Sequence, residues 1–460
     1  MVETLHPTIF REYDIRGIVG RDLNGETAEI LGRGIGTYAR SQGMRLLTLG
    51  RDNRLSSPEL SQGLARGLMA TGCDLIDIGQ VPTPLLYFSL FHLSPDGGVM
   101  VTGSHNPPEF NGFKVALGKS TIFGERIQEI RRIIAGGAFA SGEGSLRTQD
   151  VVEPYVAMVR ETIRLDRPLK VVVDAGSGTA GPLATRLLRD LGCTVIELFC
   201  TPDGTYPGHF PDPTVASNLT HAIQAVHREG ADLAVAFDGD ADRLGVVDDR
   251  GGIVWGDQLM IVFARDILTR HPGAAVVFEV KCSVTLEEEV RRHGGRPIMW
   301  KAGHSLIKQK MKEEHALLGG EMSGHLFLAE DYYGYDDAVY AALRLLRIIA
   351  RGGTSLSALL ADVPVMASTP EIRATCPDEE KFAVVQAVVE HYRPLRRTID
   401  VDGARVIFPG GWALVRASNT QPVLVLRFEA VDQDTLRAIM ADVQETLRTH
   451  PSVEIPADLL

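Results

Sequence analysis

The sequence predicts an α/β protein assembled from successive strand–helix–strand units and closed by a smaller α+β domain. At 460 residues the chain is too long for one core, so two to four domains are expected. Short apolar runs alternate with helical stretches from Arg45 to Ala350. That order favours mostly parallel sheets, whose ligands gather outside the strand C-termini. Beyond Pro364 the pattern changes to a helix, closely spaced strands and a last helix.

Arg45 to Leu49 reads as a strand, and Ser57-Pro58 as the N-cap and first position of a helix to about Ala70. Cys73 to Ile78 is expected as the next strand. Gly98 to Val101 is a third, delivering Ser104 at or just beyond its end. A helix from about Ile122 leads to the glycine-bearing stretch Gly136 to Gly144, an expected exposed loop near a boundary. A second unit opens with a strand over Leu169 to Val173 and the turn Asp174 to Gly178, then a helix to Asp190 and a strand over Thr194 to Leu198. After the proline-rich loop Pro202 to Pro213, a helix ending near Gly230 precedes the apolar strand Leu233 to Phe237. The third unit begins near Trp255. Its strands end at Lys281 and Glu321, covered by helices starting near His304 and Asp336. In the last part a helix from Glu379 to Tyr392 precedes four strands between Thr398 and Arg427 and an amphipathic helix from about Asp434 to Arg448. The expected domains are 1–152, 153–254, 255–366 and 367–460.

A formal charge of −12 argues against a nucleic-acid binder, so an anionic substrate would have to be met by locally clustered Arg and Lys. Five scattered cysteines without a CxxC pair suit a reducing cytoplasm. Met1 to Phe10 has no apolar core, so no signal peptide is expected, and no apolar run is long enough for a membrane. The reading is a soluble cytoplasmic protein. Gly176-Ser177-Gly178 lacks the third glycine of a dinucleotide fingerprint.

Asp238-Gly239-Asp240-Ala241-Asp242-Arg243 places three carboxylates on alternate residues at a buried strand end. Their repulsion and lost hydration call for a hard divalent cation such as Mg²⁺, normally met with a phosphate. An EF-hand is excluded, because Arg243 stands at the sixth position, which needs glycine, and the flanks are strands. Ser104, in Thr102-Gly103-Ser104-His105-Asn106-Pro107, can be presented to a ligand on its strand-end loop. If it carries a phosphoryl group, Lys114 can move a proton and hold negative charge. Two further polar loops hold Lys301-Ala302-Gly303-His304 and Gly320-Glu321-Met322-Ser323-Gly324-His325. Glu321 and Ser323 alternate, so both can face sugar hydroxyls, and His325 is a candidate proton carrier. Arg416-Ala417-Ser418-Asn419-Thr420, between two strands, has the makings of a phosphate clamp.

Together these segments resemble the α-D-phosphohexomutase family, in particular its bacterial phosphomannomutase/phosphoglucomutase branch, over essentially the whole chain. The resemblance implies three related mixed-sheet α/β domains plus a smaller, mobile C-terminal α+β domain around a central cleft. It implies a reversible phosphoryl transfer between C1 and C6 of mannose or glucose phosphates, through a phosphoserine and a hexose 1,6-bisphosphate that also serves as activator. Ser104 becomes the phosphoserine, with Mg²⁺ held by its phosphate, Asp238, Asp240 and Asp242. Lys114 and His325 become general acid/base groups, and Arg243, His105, Tyr13 and Arg16 line the transfer site. Glu321 and Ser323 contact the sugar, with Lys281 and His304 near the substrate. Arg416, Ser418, Asn419 and Thr420 grip the non-reacting phosphate. Gly103, where many of that family carry alanine, is expected to loosen its loop. The implied partners are small hexose phosphates, with no nucleic acid and no membrane, and the chain a monomer or weak homo-oligomer.

Overall fold

A computed structural model describes residues 5–419 and 421–456. Its first sheet has seven strands, in the order Ile15–Ile18, Phe110–Leu117, Gly97–Val101, Leu46–Arg51, Asp74–Gln80 and Leu146–Thr148, with Ser120–Thr121 added to Phe110–Leu117. The last four strands of that order run parallel and the first two antiparallel. The second sheet orders Ile253–Val254, Leu244–Val247, Leu233–Phe237, Lys170–Asp174 and Thr194–Leu198. The third orders Arg296–Trp300, Ala275–Glu279, Leu318–Gly320 and Leu326–Leu328. Both repeat the design of parallel strands followed by an antiparallel return. The fourth sheet is antiparallel and centred on Gly411–Ala417 and Val423–Ala430.

This design positions the signature loops. In each sheet a strand buried on both faces runs outward and its antiparallel neighbour brings the chain back, so the connection is a short polar loop at the sheet edge. Phe237 pairs with Leu244, which confines the three aspartates to one turn; Gly320 pairs with Leu326, and Ala417 with Leu424. Met100 opposes Lys114, which sets that lysine beside the strand leading to Ser104.

The core is continuous across the first three units: Phe88, Tyr155, Val173, Phe263 and Leu346 belong to one buried cluster. Each such side chain contributes about 2 kcal/mol on removal from water. The helix Ala338–Gly352 is buried almost throughout, while the last domain has its own core. That domain is rooted on the third unit. Arg405 stacks on Trp412 at 3.7 Å and donates to the carbonyls of Val280 and Cys282, and Arg427 donates to the Lys281 carbonyl at 2.7 Å. Glu429 accepts from both the Trp412 indole (2.7 Å) and the Val284 N–H (3.0 Å).

Three local expectations need correction. Ser57 is the first residue of its helix; Ser56 is the cap, and the Ser57 hydroxyl is turned to the Asp52 carboxylate. The helix expected from Ile122 is Glu125–Gly136, because Ser120–Thr121 first pairs back onto the sheet. The strands Ala367–Ser368 and Ile372–Thr375 precede the helix Lys381–Tyr392 and add to the last sheet. All five cysteines are buried free thiols, and no described helix is long and apolar enough to cross a membrane.

Candidate active site

Ser104 is buried and held at φ +50°, a left-handed conformation that costs a non-glycine residue about 1 kcal/mol or more. The strain is maintained by Arg54, whose guanidinium donates to the carbonyls of Ser104 (2.7 Å), Pro107 (2.7 Å) and Phe110 (3.0 Å). Gly103 does not loosen this loop. A Cβ there would lie 2.3 Å from Arg54 Nε, so the missing side chain is the space the guanidinium fills. The Ser104 hydroxyl donates to Asp238 Oδ2 at 2.9 Å and lies 3.1 Å from His105 Nδ1.

Asp238, Asp240 and Asp242 are fully buried, with candidate ligand oxygens all within 4.8 Å of one another. Asp238 Oδ1 accepts the N–H groups of Asp242 (3.0 Å) and Arg243 (3.1 Å). One oxygen each of Asp240 and Asp242 has no hydrogen-bond partner. Buried, unpartnered carboxylate oxygens in an all-oxygen set fit a hard cation such as Mg²⁺. The chain also supplies an internal counter-ion: buried Lys114 pairs with Asp240 (2.8 Å) and with Asp242. Burial alone would push the Lys114 ammonium down; the two carboxylates outweigh it and hold its pKa well above the ordinary value. Burial, with repulsion from Asp242 and Asp240, pushes the Asp238 carboxyl up. Thr83 (2.6 Å) and Thr102 (3.0 Å) complete the contacts of Asp240.

His325 faces this cluster from the third unit. Arg243 Nε donates to its Nε2 at 3.0 Å, so that nitrogen carries the lone pair and the ring proton sits on Nδ1, 3.3 Å from Asp336 Oδ2. Asp336 also lies 3.6 Å from His304 Nδ1 and accepts from Lys308 Nζ at 2.8 Å. The two imidazoles stack at 5.5 Å. Burial, reinforced by Lys308, keeps His304 well below the usual histidine range. Burial and the nearby Arg243 and Arg16 do the same for His105.

A second group of predicted residues gathers around the 301–303 loop. Tyr13 OH donates to the Ala302 carbonyl (2.8 Å) and accepts from Asn419 (3.0 Å), which joins the first, third and last domains. Arg416 pairs with Asp402 at 3.1 Å, and Asp402 also accepts the Ala302 N–H. Ser418 Oγ accepts the Gln421 N–H; Thr420 lies outside the described residues. Glu321 accepts the Gly303 N–H at 2.6 Å. Glu321 and Ser323 do not alternate along a strand: 321–325 is a turn, and Gly324, at φ +90° with Leu244 O 2.4 Å from a notional Cβ, admits no side chain. Lys281 spans Glu279 (3.5 Å) and Glu371 (3.2 Å), and Arg16 pairs with Asp14.

Each part of the chain matches a phosphoglucomutase/phosphomannomutase model: alpha/beta/alpha domain I over residues 7–141, domain II over 153–252, domain III over 255–366 and the C-terminal domain over 371–446. The chain belongs to the α-D-phosphohexomutase family. It is 47% identical to the phosphomannomutase/phosphoglucomutase of Pseudomonas aeruginosa, over 97% of this chain and 96% of that protein. It is 43% identical to a phosphoglucomutase of Neisseria meningitidis, over 97% of this chain and 98% of that protein. Among solved structures, a phosphoglucomutase/phosphomannomutase family protein from Burkholderia thailandensis superposes with a TM-score of 0.93 at 43% identity, covering 98% of this chain and all of the other. Like other phosphohexomutases, the chain is an isomerase that interconverts hexose 1-phosphates and hexose 6-phosphates.

Sequence patterns did not reveal Arg54, Thr83, Lys308, Asp336, Asp402 or Glu279, which support this phosphohexomutase site from distant parts of the chain. Glu279 is the clearest case. It is fully buried, Oε1 accepts the Met322 N–H at 3.0 Å, and burial raises its pKa to about 7 despite Lys281. The folded state therefore keeps a proton that the unfolded chain loses, and stability falls as pH rises from about 4.5 to about 7, then levels off. A shift of this size is worth about 3 kcal/mol. Glu279→Gln keeps the acceptor and should flatten that part of the profile in urea unfolding at pH 5 and 7.5. An unchanged slope would exclude Glu279 as its source.

Proposed function

We propose that Ser104 carries the phosphoryl group, and that mannose and glucose phosphates are both substrates. The observation that carries this reading is the Ser104 hydroxyl held 2.9 Å from Asp238 in an all-oxygen carboxylate cluster, with the His325 imidazole 3.6 Å from Asp242 and its Nε2 accepting from Arg243. In this reading the first domain (1–152) supplies the phosphoserine loop and the second (153–254) the metal loop. The third (255–366) supplies sugar recognition and the last (367–460) the phosphate clamp.

The free hydroxyl of a hexose 1-phosphate attacks the phosphorus on Ser104, and the bond to Ser104 Oγ breaks. His325 takes the hydroxyl proton as the O–P bond forms, and the Lys114 ammonium can give one to the departing Ser104 Oγ. The hexose 1,6-bisphosphate turns end for end and its other phosphoryl group returns to Ser104, releasing hexose 6-phosphate. Mg²⁺ held by Asp238, Asp240 and Asp242 would neutralise phosphoryl charge when bound. Arg243, His105 and Arg16 line the transfer site, and Asp336 orients His325. Tyr13, Lys281 and His304 position the sugar phosphate, while Arg416, Ser418, Asn419 and Thr420 hold the phosphate that is not reacting. Hexose 1,6-bisphosphate would also act as activator by rephosphorylating Ser104. Five buried free thiols support a cytoplasmic location, and the charge of −12 speaks against nucleic-acid partners. The chain works in this reading as a monomer or weak homo-oligomer.

Arg416→Ala should raise KM for glucose and mannose phosphates alike, by about 2 kcal/mol or on the order of thirtyfold, because a guanidinium reads the phosphate common to both. Glu321→Ala should instead change the mannose-to-glucose ratio. Steady-state kinetics of both variants on both sugars test the assignment. An Arg416→Ala enzyme with altered sugar preference and intact KM would reject the clamp.

A further inference from the structure

A cavity of about 550 Å³ opens between the first and third domains, lined by Phe91, Lys119, Lys308, Lys312, Tyr333 and Tyr335 among others. It holds neither the serine nor the aspartates. Its volume is that of a small-molecule pocket, and its walls combine flat apolar rings with a few convergent charges, as such pockets do. Phe91 packs on Tyr333 at 4.4 Å, the Tyr333 and Tyr335 rings stack nearly parallel (5°) at 5.9 Å, and Tyr333 remains 40% exposed at the mouth. Lys119 sits 4.7 Å over the Phe91 ring and Lys308 4.3 Å over Tyr87.

The charge balance of the lining is positive. Lys119, Lys308, Lys312 and Arg126 face two carboxylates, Glu125 and Glu313. Both carboxylates already have cationic partners outside the cavity, Glu125 in Arg132 and Glu313 in Lys310. Lys308 is the link to the chemistry, because the same side chain that lines the cavity holds Asp336, which touches both His304 and His325. Burial lowers the pKa of Lys308, so an added anion would favour its charged form.

We propose that this cavity is an effector site for a planar aromatic anion, a ring system bearing a carboxylate, sulfonate or phosphate. The ring system lies against the exposed part of Tyr333 at the mouth while the anionic group meets Lys119, Lys312 and Lys308. An anion beside Lys308 competes with Asp336 for the ammonium, and the change passes to His325. The site goes beyond the proposed mechanism, and its occupancy can be read without activity.

Anilinonaphthalene sulfonate is a probe of this class. Its fluorescence on titration should show one saturable site per chain that glucose 1-phosphate does not displace. Lys119→Glu and Gln309→Trp, which reverse a charge and fill the mouth, should each weaken binding at least about tenfold while leaving basal turnover unchanged. Saturating dye should lower kcat of the wild type about fivefold without raising KM, and should not affect the variants. Displacement by substrate, equal binding to the variants, or wild-type kcat indifferent to saturating dye would each overturn the proposal.

Discussion

Ser104→Ala should lower hexose phosphate interconversion by on the order of a millionfold, the scale on which deleting a nucleophile acts. The fold should survive. The change removes the hydroxyl's two hydrogen-bond contacts, to Asp238 and His105, each worth about 1 kcal/mol, and leaves the Arg54 grip on the loop carbonyls in place. Intact-mass analysis after incubation with glucose 1,6-bisphosphate should show one added phosphoryl group on the wild type, mapping to Ser104, and none on the variant. A variant that keeps turnover, or that becomes phosphorylated elsewhere, would overturn the carrier assignment.

The second large effect is expected at Lys114. Its ammonium pairs with Asp240 at 2.8 Å and with Asp242. Lys114→Met leaves two buried carboxylates without it and should destabilise the protein by about 3–5 kcal/mol, the usual result of removing one partner of a buried ion pair. Because a divalent cation would offset the same charges, Mg²⁺ should restore more stability to Lys114→Met than to the wild type. Urea midpoints of both proteins with and without Mg²⁺, beside Lys114→Arg as the charge-retaining control, measure this. Equal midpoints for Lys114→Met and the wild type would show that the lysine does not balance the aspartates.

The parts of the site that repeat a chemical type within a few residues were legible in the sequence. The aspartates at 238, 240 and 242 follow an apolar strand whose end is set by Phe237, and Ser104 follows the buried Val99–Val101 run. What stayed hidden depends on separation along the chain. Asp336 meets His325 only after Leu326–Leu328 turns back and the chain closes over it, and Arg54 reaches Ser104 across fifty residues. A lone buried arginine or aspartate carries no local pattern; its meaning lies in which carbonyl or imidazole the fold brings to it. The Glu321 and Ser323 alternation failed for a related reason. A two-residue period does not run through a segment in which Gly324 imposes a turn. Strand Ile372–Thr375 has no signature of its own, because it is four residues long and gains its order from pairing with Val423–Ala430.

The two ends of the last domain are held with very different strength. At its root Arg405 is buried against Trp412 and bonded to two backbone carbonyls, with Arg427 and Glu429 adding further bonds. At its rim, hydrogen bonds from Asn419 to Tyr13 and from Ala302 to Asp402 join it to its neighbours. Two such bonds are worth about 2 kcal/mol net, so a rim-parted state would be populated at a few per cent and exchange on the microsecond-to-millisecond scale. A bisphosphate reversing its ends needs room that lasts for one rotation and no longer. A stiff root with a weak rim would supply that: a brief parting that swings back to the same register, so the sugar could turn over while diffusion has little time to carry it away.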